Sequence, residues 1–196
     1  LGKRFEAAAL VLQGTPAVGV AYSDAPVQGP QDLALIFAGQ GSQTPGMLRD
    51  LMLAFPETLE SLEMGSRILR EHEGPSPSLM DYIYPSQAFD DDKTNQRQAL
   101  TATRIAQLAL GTVGAALIAI LKRFGVKATL VSGHSYGELL ALYAAGVIKL
   151  EDLLKASYQR GLLMEKAGRP GGGMLAVMGS AERVDEILRK EGLNAK

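Results

Sequence analysis

Apolar positions along this chain fall into two kinds of pattern. Short unbroken runs, Leu33-Ala34-Leu35-Ile36-Phe37 and the stretch holding Val126, Ala128, Leu130 and Val131, have the length and branching of buried strands. Longer stretches repeat their apolar residues at helical spacing. They predict helices over Lys3 to Leu12, Met47 to Phe55, Thr58 to Glu71, Leu100 to Phe124, from just past Ser135 to about Ala145, Leu150 to Lys166, and Glu182 to Lys190. Strand, helices, strand and helix in that order predict an α/β fold, a parallel sheet flanked by helices.

Glycine and proline divide the remainder. Residues 1–31, past their one helix, are rich in Gly, Pro and Ala and end at Gly29-Pro30, which is linker composition. The segment from Gly74 to Asp92 carries prolines and glycine early and an acidic triplet late, and predicts a surface loop with a short helix. Gly171-Gly172-Gly173 breaks the chain before a strand expected over Met174 to Met178, and Ser180 is placed to cap the helix after it. Three segments follow: a linker, 1–31; a large α/β unit, 32–168; and the beginning of a smaller unit, 169–196.

Two connections between a strand and a helix carry candidate chemistry. In Gly133-His134-Ser135-Tyr136-Gly137-Glu138 a serine stands at the apex of a sharp turn, with glycines two residues before and after it where larger side chains would clash. The helix that follows aims backbone N–H groups and the positive end of its dipole at that apex, where an oxyanion would form. In Gly39-Gln40-Gly41-Ser42-Gln43 the backbone follows a path only glycine permits. By pattern alone the serine turn is equally a plain tight connection, and for the glycine-rich loop that plainer reading is the favoured one.

Bulk composition narrows the function classes. A length of 196 residues holds one sizeable core, or one domain and part of a second. Twenty basic against 21 acidic residues, with no basic stripe, give no electrostatic footprint for nucleic acid or an anionic membrane surface, and neither partner is expected. The absence of cysteine excludes disulfides, thiolate metal sites and cysteine nucleophiles, and fits a cytoplasmic setting. The uncharged run Ile105 to Leu121 is short for a bilayer span and interrupted by Gln107, Gly111 and Gly114, so a buried helix is expected. The start at Leu1-Gly2-Lys3-Arg4 has neither an initiating methionine nor a signal-peptide layout and reads as a piece of something longer.

Four segments taken together resemble the malonyl-CoA:acyl carrier protein transacylase family. They are Ala38-Gly39-Gln40-Gly41-Ser42-Gln43, Thr103-Arg104-Ile105-Ala106-Gln107-Leu108-Ala109-Leu110, Gly133-His134-Ser135-Tyr136-Gly137-Glu138 and Arg160-Gly161-Leu162-Leu163-Met164. The resemblance covers about residues 33–180. It implies the acyltransferase domain of a polyketide or polyunsaturated-fatty-acid type synthase, with an α/β-hydrolase-like large subdomain and the start of a small ferredoxin-like one. It further implies that Ser135 accepts an acyl group from a CoA thioester, malonyl-CoA first among candidates. The group then passes to the phosphopantetheine thiol of an acyl carrier protein, without a metal or a tightly bound cofactor. Backbone N–H groups of Gln40 and Tyr136 would form the oxyanion hole, Arg160 would bind the free carboxylate of the diacid, and Gln107 and His134 would line the pocket.

Each role has a plainer counterpart. Arg160 as a salt-bridged surface residue, Gln107 as a core amide bonded to backbone, and His134 as a packing residue fit the same pattern. At the place of Tyr136 the family carries smaller or differently shaped residues and reads part of its extender-unit choice, so methylmalonyl or another branched unit remains open beside malonyl. A serine also needs a base, a histidine in this family. The chain has only His72 and His134. His72 lies in a charged helix end and His134 beside the nucleophile, so the resemblance places the catalytic histidine past Lys196, in a missing C-terminal half. The chain alone is then expected to be inactive or to acylate itself slowly, with that half and neighbouring synthase domains as partners. An acyl-CoA or acyl-carrier serine hydrolase, and a non-catalytic docking segment, are the competing readings.

Overall fold

A computed structural model of the chain describes residues 2–15, 17, 32–86, 90–168 and 177–192. The elements are α1 (Gly2–Leu12), β1 (Ala34–Phe37), α2 (Arg49–Ala54), a short 3-10 turn (Pro56–Thr58), α3 (Leu59–Glu73), α4 (Leu79–Ile83), α5 (Asp90–Thr101), α6 (Thr103–Arg123), β2 (Leu130–Gly133), α7 (Gly137–Ala144), α8 (Leu150–Ala167) and α9 (Ala181–Lys190). β1 and β2 pair in parallel, Ala34 opposite Leu130 and Phe37 opposite Gly133, so both strands end at the same edge and release their loops side by side. That edge carries the candidate site.

The core is built around α6. Ile105, Ala106, Leu108, Ala109, Val113, Ala115, Ala116, Ile118 and Ile120 are buried, which leaves this helix apolar nearly all round. α6 is long and apolar enough to cross a membrane by length and composition, but most of its surface is taken by neighbouring elements of this chain. It packs on α8 through Leu153, Leu154 and Tyr158 and on α3 through Ile68 and Leu69. Gly65 of α3 lies so close to Thr112 and Leu79 that a Cβ there would overlap both side chains.

Three expectations are corrected. The strands are not buried: along both, exposed and half-buried residues alternate, with Ile36 79% and Leu130 59% exposed. Among the described residues the sheet has two strands and α7 packs against them on one face of the ribbon, so a continuous apolar run serves one face and leaves the other in solvent. The helix expected from Leu100 is two helices. Ala102, at φ −52° and ψ 123°, leaves helical geometry, and the new N-terminus at Arg104 donates its N–H to Glu165 Oε1 of α8 at 2.9 Å. Finally, α5 occupies residues expected to continue or follow a loop. Its sequence, DDDKTNQRQALT, offers almost no apolar periodicity, and among its described side chains only Leu100 near its end is fully buried.

Helix α9 begins as expected, with Ser180 Oγ accepting from the Arg183 N–H at 3.4 Å, and it buries no residue. The expected strand at Met174 to Met178 lies outside the described residues except for Val177 and Met178, which have no strand geometry. Most of the linker past α1 also lies outside them.

Candidate active site

The elbow around Ser135 follows from steric exclusion. The His134 N–H extends the parallel ladder by one bond, to Phe37 O at 3.0 Å, after which the chain must turn into α7 within three residues. A Cβ on Gly133 would fall onto the backbone carbonyl of Gly137, and one on Gly137 onto the carbonyl of Phe37. Only glycine fits either place. Ser135 between them adopts φ 53°, a left-handed conformation that costs a non-glycine residue on the order of 1–2 kcal/mol. The turn is closed by Gly137 N–H to His134 O at 2.9 Å and Glu138 N–H to Ser135 O at 3.2 Å. Ser135 is exposed at its crest.

Arg160 reaches the elbow from α8. Its Nη2 lies 3.4 Å from Ser135 Oγ, and the side chain is half-buried along the helix edge. The guanidinium and the hydroxyl, expected from separate motifs, therefore meet.

Gln40 and Gln107 also meet. Gln107 is fully buried on α6 and donates through Nε2 to Gln40 Oε1 at 3.1 Å and to Met164 Sδ at 3.3 Å. Gln40 Nε2 in turn donates to Thr103 Oγ1 at 3.4 Å. Gln107 Oε1 is buried with no hydrogen-bond partner among the described residues, a condition that costs on the order of 1–3 kcal/mol. The loop bearing Gln40 is held by Gly41 N–H to Gln43 Oε1 at 2.7 Å and Ser42 Oγ to Gly39 O at 2.9 Å. His134 packs across Gly39, whose Cβ would come 2.9 Å from His134 Nδ1. The two loops thus touch through Gly39 and His134, one residue from Gln40 and Ser135 respectively. Among the described residues neither the Gln40 nor the Tyr136 backbone N–H is engaged by a backbone acceptor.

The Tyr136 side chain turns away from this surface. It is fully buried, and its hydroxyl lies 2.7 Å from Ser157 Oγ of α8. Burial pushes the phenol well above its ordinary value, against a smaller lowering by Ser157.

Neither histidine side chain is hydrogen-bonded to Ser135. His72 Nδ1 lies 2.9 Å from Ile68 O of its own helix, and its ring stands 4.5 Å from that of Tyr158. Beside it lies a cluster that the sequence does not announce. Arg104 pairs with Glu73 and, at 2.7 Å, with Glu165, while the Tyr158 hydroxyl donates to Glu73 Oε1 at 3.0 Å. The Glu73 hydrogen bond is the largest influence holding the Arg104 guanidinium protonated, and burial with the Glu73 contact pushes the Tyr158 phenol up to about 12. Sequence reasoning missed Thr103 and Met164 as partners of the two glutamines, although both lie inside the motifs that drew attention. Ser157 gave no signal beyond standing three residues before Arg160.

Residues 34–192 match the family model described as acyl transferase domain. The chain belongs to the acyl transferase domain family. A similar curated relative is the phenolphthiocerol synthesis polyketide synthase type I Pks15/1 of Mycobacterium marinum, 36% identical over 92% of this chain and 8% of that protein. Among solved structures, the acyltransferase domain from the second module of the salinomycin polyketide synthase superposes with a TM-score of 0.70 at 29% identity, covering 97% of this chain and 41% of that one. A type II polyketide synthase malonyl-transacylase, in complex with its acyl-carrier protein, superposes with a TM-score of 0.59 at 30% identity over 71% of this chain and 40% of that one. The acyltransferase chain described here therefore spans under a tenth of that relative and about two-fifths of these solved chains.

Proposed function

We propose that this acyltransferase moves a malonyl-type group from CoA to the phosphopantetheine thiol of an acyl carrier protein through an ester on Ser135. The observation that carries this reading is the exposed Ser135 hydroxyl at φ 53°, with Arg160 Nη2 3.4 Å away. The likeness to a malonyl-transacylase seen with its carrier protein supports the choice of donor and acceptor.

In the first half-reaction Ser135 Oγ attacks the thioester carbonyl and its proton leaves to a base. The tetrahedral oxyanion then collapses, breaking the C–S bond, and the departing CoA thiolate takes a proton. In the second, the carrier thiol attacks the ester by the reverse sequence and Ser135 regains its hydrogen. The N–H groups of Gln40 and Tyr136 face the developing oxyanion, a contribution of about 3–4 kcal/mol for one such donor. Arg160 grips the distal carboxylate through two parallel hydrogen bonds, which a planar and permanently charged group does well. The Gln107–Gln40 pair holds the donor loop against the pocket, with the open Gln107 oxygen offered to a substrate donor. Neither histidine side chain is hydrogen-bonded to Ser135, and the reading requires a base at that hydroxyl.

Incubation with malonyl-CoA followed by peptide mass spectrometry tests the reading. With imidazole added as the base, a malonyl adduct confined to Ser135, absent in Ser135→Ala and passed on to a holo carrier protein, is the expected result. An adduct elsewhere, or none, overturns it.

A further inference from the structure

Two buried hydroxyls below the elbow have no part in the chemistry above. Tyr136 and Ser157 are both fully buried, 2.7 Å apart between oxygens. Ser157 Oγ also lies 2.6 Å from Leu153 O, an acceptor only, so the serine hydrogen is spent on that carbonyl and the Tyr136 hydroxyl donates to Ser157. The junction is closed by Gly111 of α6. A Cβ there would overlap the Tyr136 hydroxyl and come 2.9 Å from Ser157 Oγ. Ser157 stands one helical turn before Arg160 on α8, and Arg160 Nη2 is 3.4 Å from Ser135 Oγ.

These contacts form a ring: the Ser135–Tyr136 backbone, the Tyr136–Ser157 hydrogen bond, one turn of α8, and the Arg160 guanidinium back to Ser135. We propose that the Tyr136–Ser157 hydrogen bond sets the separation of Arg160 from Ser135, making both residues positioning residues for selection of a carboxylate-bearing acyl group. The inference rests on the reading of Arg160 as the carboxylate ligand. A lone neutral hydrogen bond contributes little to stability, but a misplacement of about 1 Å at a reacting centre can cost about a hundredfold. Residue 136 thereby influences substrate choice from beneath the pocket, through α8, without its side chain touching substrate.

Calorimetric affinities for malonyl-CoA and acetyl-CoA provide the test, in the wild type, Tyr136→Phe, Ser157→Ala and Arg160→Ala. Ser61→Ala serves as control, because it removes a different buried hydroxyl that donates to Thr58 O at 2.9 Å on α3. The wild type is expected to favour malonyl-CoA by about tenfold or more, and Arg160→Ala to erase that preference. Tyr136→Phe and Ser157→Ala should each reduce it by about fivefold, and their combination by no more than either alone, with acetyl-CoA affinity unchanged within about twofold in Ser157→Ala. Ser61→Ala should keep the wild-type ratio. Tyr136→Phe is the gentler variant, since Ser157 retains its bond to Leu153, and it carries the test if Ser157→Ala does not fold. A preference that persists in Tyr136→Phe but disappears in Arg160→Ala overturns the positioning role alone. A wild type without preference, or one retained by Arg160→Ala, overturns the Arg160 reading and this inference with it.

Discussion

The two loops that leave the sheet edge are built on opposite principles. At the Ser135 elbow, main chain excludes any side chain from positions 133 and 137, and the turn has no other path. In the loop after β1, Gly41 and Gly46 also take positive φ, 109° and 78°, but a Cβ on either would meet open space. That loop is held by side chains instead: Gln43, Ser42 and the Gln40–Gln107 pair. Ser135 is fixed by volume and the loop bearing Gln40 by hydrogen bonds. The first tolerates no substitution, whereas the second degrades by degrees.

The largest effect should come from Gly137→Ala. Its Cβ must displace the β1 carbonyl, so we expect a loss of at least about 3 kcal/mol by urea titration and no Ser135 adduct. If that variant folds with wild-type stability, the steric half of the comparison is wrong. Raising the pH next probes the cluster where α3, α6 and α8 meet. A phenol whose folded value is raised contributes stability that is complete below its ordinary value, near 10, and is lost as pH climbs through the folded value. Tyr158, at about 12, should therefore cost stability between pH 10 and 12, and Tyr158→Phe should flatten the decline in thermal melts.

Smaller losses should follow in the other loop. Gly41→Ala is expected to cost about 1–2 kcal/mol through backbone strain alone, leaving an adduct that forms more slowly. Gln107→Leu removes the tie to Gln40, and adduct formation should fall by about tenfold with stability nearly unchanged, because a buried unpartnered oxygen disappears with the tie. The finest distinction concerns Ser135 itself. Neither Ser135→Ala nor Ser135→Gly can be acylated, yet the glycine variant should be the more stable by about 1 kcal/mol, as glycine alone is at ease at φ 53°.

Much of this was legible in the sequence, for reasons that differ by residue. The elbow could be read because steric exclusion leaves a mark in composition, a glycine on either side of Ser135. α6 and α8 could be read because burial imposes apolar spacing. The break at Ala102 could not, since it depends on Glu165 arriving from α8 to cap Arg104. Nor could α5, whose polar face records no packing, or the exposure of Ile36 and Leu130, since an apolar run does not say how many of its faces are covered. At the site, Arg160 and Gln107 were identified by kinship of motif. The inward turn of Tyr136 and its bond to Ser157 depend on Gly111 clearing room in a helix remote in sequence.

Gly161 stands next to Arg160, and a methyl group there would overlap the main chain of Arg104. The two longest helices consequently touch spine to spine beside the guanidinium, with no flexible side chain between them to act as a cushion. A mount of that kind transmits displacement instead of absorbing it. Pressure applied where α6 begins would be felt at the Arg160 guanidinium almost undiminished.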